Sequence, residues 1–441
     1  MTTPVHSTIE ACLSDVDFAV AGNEMLALVQ RLYPICRSIT GEGNRQTLSI
    51  LAERHDIPIH EVASGTPVLD WVVPPEWNIR EAWIKDPEGV RIVDFKEHNL
   101  HVVGYSLPVR QVLPLAALMP HLHSLPEHPD WVPYRTSYYK ETWGFCVSDR
   151  LRNSLPAGDY EVYIDADLKP GHLTYGEVVL PGATEEEFLV STHICHPSLA
   201  NDNLSGMAVA EQLIRLLRGI NRRYTYRFLF IPGTIGSITW LALNAEAVSR
   251  IRHGLVLSCL GDPGCPHYKR SRRGSAVIDQ AVSHVLRHHA AGHAIQDFVP
   301  YGYDERQYGS PGFDLPVGLL TRSPHGSFPE YHTSADSPAL LRPEALADSL
   351  RLLLEIIQVV EGNAIYRNTS PMGEPQLGRR GLYDTLGGAN ERQEAQMALL
   401  WVLNQSDGQH SLLDIATRAA LPWQRVQQAA IRLLACGLLK Q

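Results

Sequence analysis

Apolar residues at Met25, Leu28, Val29 and Leu32 recur at helical spacing and predict a helix within 24–54, broken at GEGN (41–44) before a second one. From 59 to 146 the period changes. Short β-rich runs such as DWVV (70–73), EAWIKD (81–86) and GVRIVD (89–94) are punctuated by Pro and Gly, which predicts a small β-rich domain. YEVYIDADL (160–168) and GEVVLPG (176–182) then alternate as strands do, while EFLVSTH (187–193) and RFLFIPG (227–233) hold short apolar runs of the kind buried in a central sheet. Leu204, Met207, Ala208, Leu213, Leu216 and Leu217 share one helical face. GLVLSCLGD (254–262) and LPVGLLT (315–321) add strands, and 275–289 and 343–361 add helices. Strands alternating with helices predict an α/β domain with a mostly parallel central sheet, whose ligands gather at the carboxyl ends of the strands. The polar, Gly-, Pro- and Arg-rich stretch 366–391 reads as a linker, and 392–441 as the helices of a winged-helix domain. The α/β domain is thus expected over 20–58 and 147–365, with 59–146 inserted.

Charge narrows the function. A net charge of −10 argues against a nucleic-acid binder, which needs a basic face. The C-terminal region carries Arg392, Arg418, Arg425, Arg432 and Lys440 against Glu394, Asp407 and Asp414, so it is expected to dock or dimerise rather than bind DNA. Seven scattered cysteines without a CxxC pair fit a reducing cytoplasm. The N-terminus has no secretory pattern, and no apolar run is long enough for a membrane span. The expected partners are a small-molecule or peptide substrate and further copies of the chain; neither membrane nor nucleic acid is expected.

The 20 histidines raise the question of a metal. In Ser191-Thr-His-Ile-Cys-His-Pro-Ser-Leu-Ala-Asn-Asp-Asn-Leu-Ser-Gly206, a strand-end loop concentrates His193, Cys195, His196 and Asp202. Asp202, just before a helix, reads equally as a cap and as a metal ligand. Two further clusters are Pro329-Glu-Tyr-His-Thr-Ser-Ala-Asp336 and Tyr303-Asp-Glu-Arg-Gln-Tyr308. Lys269, Arg270, Arg272 and Arg273 form either a solvated loop or a clamp for a substrate carboxylate or phosphate.

The order His193, Asp202-Asn-Leu-Ser-Gly206, Gly236-Ser237 and His332-Thr-Ser-Ala-Asp336 resembles the zinc aminopeptidases with co-catalytic metal sites. ICRSITGEGNRQTL (35–48), FKEHNLHVVGYSLPV (95–109), YRTSYYKETWGFC (134–146), YGYDERQYGSPGFDLPVG (301–318) and EYHTSAD (330–336) resemble more closely an aminopeptidase-like family found near polysaccharide-biosynthesis genes. The resemblance implies His193, Asp202 and His332 as metal ligands, with Asp262 or the softer Cys259 in the fourth ligand region. It implies a zinc-dependent amide hydrolase, and the chain's departures from the pattern at Gly233 and in the fourth ligand region lead to an expectation of one ion rather than two.

The chain departs from that pattern where a Glu-Glu pair is expected: it reads Ile231-Pro-Gly-Thr-Ile-Gly-Ser237, and Gly233 cannot supply a general base. Glu305, then Asp304, are the substitutes expected, unless they pair with Arg306 or the 269–273 cluster. His196, Arg272, Arg273, Arg306 and Tyr331 are expected to contact substrate. Gly233 also leaves open a protein that transfers or forms an amide, or binds a metabolite.

Overall fold

The computed structural model describes residues 8–290, 292–382 and 389–441, the side chains of 389–392 excepted. Residues 383–388, part of the expected linker, lie outside it. The chain forms two compact units, one running to Gly274 and resuming over Ala294–Arg351, the other comprising Ser275–His293 and Leu352–Gln441.

The first unit is built on an eight-stranded sheet in the order Ile59–Ala63, His172–Leu180, Thr225–Ile231, Glu187–His193, Ile251–Leu257, Val317–Thr321, His267–Lys269, Ala294–Gln296. Glu187–His193 runs parallel to both its neighbours, and Ile251–Leu257 parallel to Val317–Thr321. Antiparallel strands flank this parallel centre. Every residue of Glu187–His193 is buried, as expected of a central parallel strand covered on both faces. The buried Arg227 guanidinium ties adjacent strands, donating from Nε and Nη2 to Glu187 at 2.6 and 2.8 Å and from Nη1 to Glu177. The helix Gly206–Arg218 follows the central strand and buries Leu213, Leu216 and Leu217.

A four-stranded sheet, Arg91–Asp94, Glu76–Lys85, Asp159–Lys169 and Val109–Pro114, forms the β-rich part. Its limits differ from the expected 59–146. Ile59–Ala63 pairs with His172–Leu180 in the large sheet, and Asp159–Lys169 joins the small one. Buried Tyr160, Val162, Ile164 and Ala166 alternate with more exposed residues, which suits a sheet with one wet face rather than a doubly covered centre. Near the N-terminus the second of the two expected helices starts at Glu42, because Gly41 (φ 110°) takes the left-handed turn that ends the preceding chain direction.

In the second unit Ile365–Asn368 pairs antiparallel with Asp407–Ser411 and with Leu439–Lys440. This strand reaches into the expected linker; its polar residues concealed a wing strand. The helix Val277–Arg287, expected beside the α/β sheet, belongs here too, with His284 Nδ1 3.5 Å from Thr417 Oγ1. On the helix Trp423–Ala435, Arg425 faces Glu394 at 3.7 Å and Arg432 donates to the Leu382 carbonyl, so both basic side chains are engaged within the unit. Among the described residues no helix is long and apolar enough to cross a membrane.

Two imidazoles, the buried His253 and the half-buried His98, are expected to make the fold acid-sensitive. His253, whose ring lies 4.9 Å from that of Tyr224, and His98 are both pushed down to about 4, chiefly by burial. With folded values below the unfolded 6.5, their stabilising effect is present above about pH 6.5 and is lost as pH falls toward 4. Thermal melting at about pH 7.5 and about pH 5 is expected to show a lower midpoint in acid, with a smaller drop for His253→Phe.

Candidate functional site

Four neighbouring strands end on the same side of the sheet, and their carboxyl-end loops carry the chemistry, as open α/β sheets require. His193 closes Glu187–His193; Gly233 follows Thr225–Ile231; Cys259 follows Ile251–Leu257; His325 follows Val317–Thr321.

Asp202 is at the centre. Its carboxylate and His193 are fully buried. His193 Nε2 lies 2.8 Å from Oδ1, His332 Nε2 3.0 Å from Oδ2, and His196 Nε2 3.8 Å from Oδ2. Burial pushes the Asp202 carboxyl upward, but the neighbouring imidazoles prevail and hold it well below the usual carboxylate range. The Asn residues on either side fix it. Asn203 Nδ2 donates to Thr192 Oγ1 (2.8 Å) and the Leu257 carbonyl (3.0 Å); its Oδ1 accepts from the Cys259 amide. Asn201 accepts from the Gly261 amide and donates to Asp262. Asp336 accepts from the backbone amides of Asn201 (2.6 Å) and Asp202 (3.0 Å). The last residue of the motif His332-Thr-Ser-Ala-Asp336 therefore clamps the loop of its first residue's partner.

Two sets of side chains place their ligating atoms within 4.8 Å of one another: His193, His196 and Asp202, and Asp202, Cys259 and His325. Imidazole, carboxylate and thiol donors suit a divalent first-row metal, zinc above all. A buried carboxylate whose nearest partners are imidazoles is also the environment that a cation stabilises. These residues fit a metal ion. Cys259 and His332 both hold left-handed backbones (φ 50° and 57°), a conformation uncommon outside glycine that concentrates at functional sites.

The remaining expected residues separate. Asp262 is drawn away from the cluster: its oxygens accept from Asn201 (2.8 Å), the Gly264 amide (2.7 Å) and Ser323 (2.6 Å). His196, expected on the substrate, stands within the metal-ligand group. Tyr331 stacks on His332 with ring centroids 3.9 Å apart. Arg272 and Arg273 both bond to Asp314, at 2.9 and 3.2 Å, so a single carboxylate already engages both guanidinium groups of the expected clamp. Arg306 keeps a buried Nε without a hydrogen-bond partner.

In the 301–308 loop the residue that reaches the cluster is Tyr303. Its ring centroid is 3.9 Å from that of His193, and its hydroxyl 3.4 Å from Cys195 Sγ. The carboxylates that follow it are otherwise engaged. Glu305 is buried against Lys269 Nζ and accepts from the Tyr303 amide at 3.2 and 3.0 Å. Asp304 accepts from Ser237 Oγ at 2.9 Å, and burial pushes its carboxyl up to about 8. A Cβ at Gly233 would lie 2.1 Å from Tyr303 Cε1, so the phenol ring fills the space beside the position where the aminopeptidase pattern has a carboxylate. Tyr134 completes the wall, 5.1 Å from the His196 ring and 5.0 Å from His332.

Sequence reasoning missed His325, Tyr303, Asp336 and Tyr134 as site residues. Each stood in a quoted motif or beside one, but only the strand order brings them together.

The family described as Domain of unknown function (DUF4910) matches residues 26–363, more than half of the chain. The chain belongs to this family. A winged helix-turn-helix family (HTH_47) matches 364–441. A Clostridium acetobutylicum protein, named for polysaccharide biosynthesis and an aminopeptidase-like domain, is 48% identical over 419 residues, spanning 95% of this chain and 96% of its own. A crystal structure from Clostridium acetobutylicum, bearing the name of a peptidase, aligns with a TM-score of 0.92 at 46% identity, covering 96% of this chain and 97% of that one. The zinc aminopeptidase BSAP of Bacillus subtilis aligns with a TM-score of 0.57 at 11% identity, over 76% of this chain and 94% of that one. At that identity the likeness is of fold. The α/β unit thus has the zinc-aminopeptidase fold that the sequence resemblance implies, joined to a winged helix.

Proposed function

We propose that this protein is a zinc-dependent amide-bond hydrolase of aminopeptidase type, acting on a small peptide or amino-acid conjugate. The observation that carries the reading is the buried Asp202 carboxylate, faced by His193, His196 and His332 at the carboxyl ends of a parallel sheet. His193, His196 and Asp202 would hold the ion, with His332 beside it, 3.0 Å from Asp202 Oδ2. Bound zinc supplies a Lewis acid that polarises a carbonyl and acidifies water. Asn201, Asn203 and Asp336 orient Asp202, while Tyr303, Tyr134 and Tyr331 wall the cluster with rings that limit access by water. Names of the relatives that mention a peptidase and polysaccharide biosynthesis support an amino-acid conjugate of a biosynthetic pathway as substrate.

The filled space beside Gly233 favours a second reading, in which hydrolysis has given way to amide transfer or formation. Gly233→Glu alone crowds Tyr303, so the restoring variant must combine Gly233→Glu with Tyr303→Ala. Release of nitroaniline from a panel of aminoacyl-4-nitroanilides is expected from the wild type and lost in His193→Ala. Release only by the double variant would favour the second reading.

A further inference from the structure

Ile35-Cys-Arg-Ser38 opens a motif with no part in the metal cluster, yet its arginine lies directly behind the ligand loop. Arg37 is fully buried. Its Nε donates to the His196 carbonyl at 2.9 Å and its Nη1 to the Leu32 carbonyl at 2.7 Å, while Nη2 is buried without a hydrogen-bond partner. Leu32 closes the helix Phe18–Leu32, whose dipole offsets part of the charge, about half a unit at most. Among the described residues no carboxylate pairs with Arg37; the ionisable groups that face it are the thiols of Cys36 and Cys195. Burial pushes the guanidinium down to about 10, so it stays charged at neutral pH.

A buried cation without a counter-ion is costly, and an unsatisfied buried donor calls for a partner. The cations expected to clamp the substrate are engaged elsewhere. Lys269 pairs with Glu305, Arg272 and Arg273 pair with Asp314, and Arg306 adjoins the Asp304 carboxyl. Arg37 is different, because its charge stands against the backbone of a ligand residue with nothing to neutralise it. We propose that Arg37 is a specificity-determining residue, whose uncompensated charge behind His196 makes the site select amides with a carboxylate on the amine part released. The proposal rests on the hydrolase reading above and adds the charge of its substrate. In a water-poor interior the attraction between charges is weakly screened, so the guanidinium acts on the anion without contact and the carboxylate need not reach Nη2.

Dipeptides and the same dipeptides amidated at the C-terminus differ by this one charge. With zinc supplied, wild-type kcat/KM is expected to be about tenfold higher for the acid form than for the amide, chiefly through KM. Arg37→Gln keeps a donor for the backbone carbonyls but carries no charge, and should bring the ratio near unity. Arg37→Lys keeps the charge and should retain most of the preference, so the outcome does not depend on the folding of one variant. A wild-type ratio near unity, or a preference that survives Arg37→Gln, overturns the proposal while leaving the hydrolase reading standing. A loss shared equally by the two forms in both variants also overturns it, since Arg37 would then serve only to hold the Leu32 and His196 carbonyls. If no dipeptide is cleaved, the hydrolase reading fails instead, and calorimetric binding of the two forms to wild type and Arg37→Gln decides the proposal by the same ratio.

Discussion

Asp202→Asn is expected to lower amide hydrolysis by about a thousandfold, the several kcal/mol that a bound metal contributes to polarising a carbonyl. The variant preserves the shape of the side chain and leaves undisturbed the bond from the backbone amide of residue 202 to Asp336. What it removes is the negative charge facing His193, His196 and His332. Zinc should therefore raise the melting temperature of the wild type, by the equivalent of about 4 kcal/mol at a thousandfold excess over Kd, and leave that of the variant unchanged. Calorimetry with and without zinc checks the second expectation and a nitroanilide assay the first. A variant that remains fully active would exclude Asp202 as a ligand.

The second large effect is expected at Glu305. Its carboxylate is fully buried against Lys269, which itself also donates to the Tyr301 carbonyl at 2.7 Å. Glu305→Ala leaves an ammonium buried without its counter-charge, at a cost of about 3–5 kcal/mol. Lys269→Met combined with Glu305→Gln removes both charges while keeping an acceptor for the Tyr303 amide, and should recover most of that stability. If Glu305 acts by holding Tyr303 against His193, the folded double variant retains much of its kcat. If it serves as the general base, the double variant folds but is inactive. Chemical denaturation and steady-state kinetics on the two variants separate these roles.

The parallel centre was legible because strands buried on both faces carry short apolar runs without alternation, such as Phe188–Val190 and Phe228–Ile231. His193, Asp202 and His332 were legible through their motif order. His325 was not, because it lies in a loop after Val317–Thr321 and meets Cys259 only through the parallel pairing of that strand with Ile251–Leu257. The 301–308 loop shows the same limit. Its density of ionisable groups marked it, but local sequence does not tell which residue faces inward. The structure spends Glu305 on Lys269 and Asp304 on Ser237, and presents the tyrosine before them. Domain limits failed where a strand pairs outside its expected domain, as Asp159–Lys169 does in the small sheet and Ile365–Asn368 in the wing. Strand pairing at such distances in sequence leaves no local pattern.

The central claim is that the cluster around Asp202 is a metal centre, and metal content tests it most directly. Protein purified without chelator is analysed by inductively coupled plasma mass spectrometry beside His193→Ala and Asp202→Asn prepared in the same way. The prediction is zinc bound in the wild type and strongly reduced in both variants. A wild type free of metal that also fails to take up added zinc, or variants that retain as much zinc as the wild type, would contradict it.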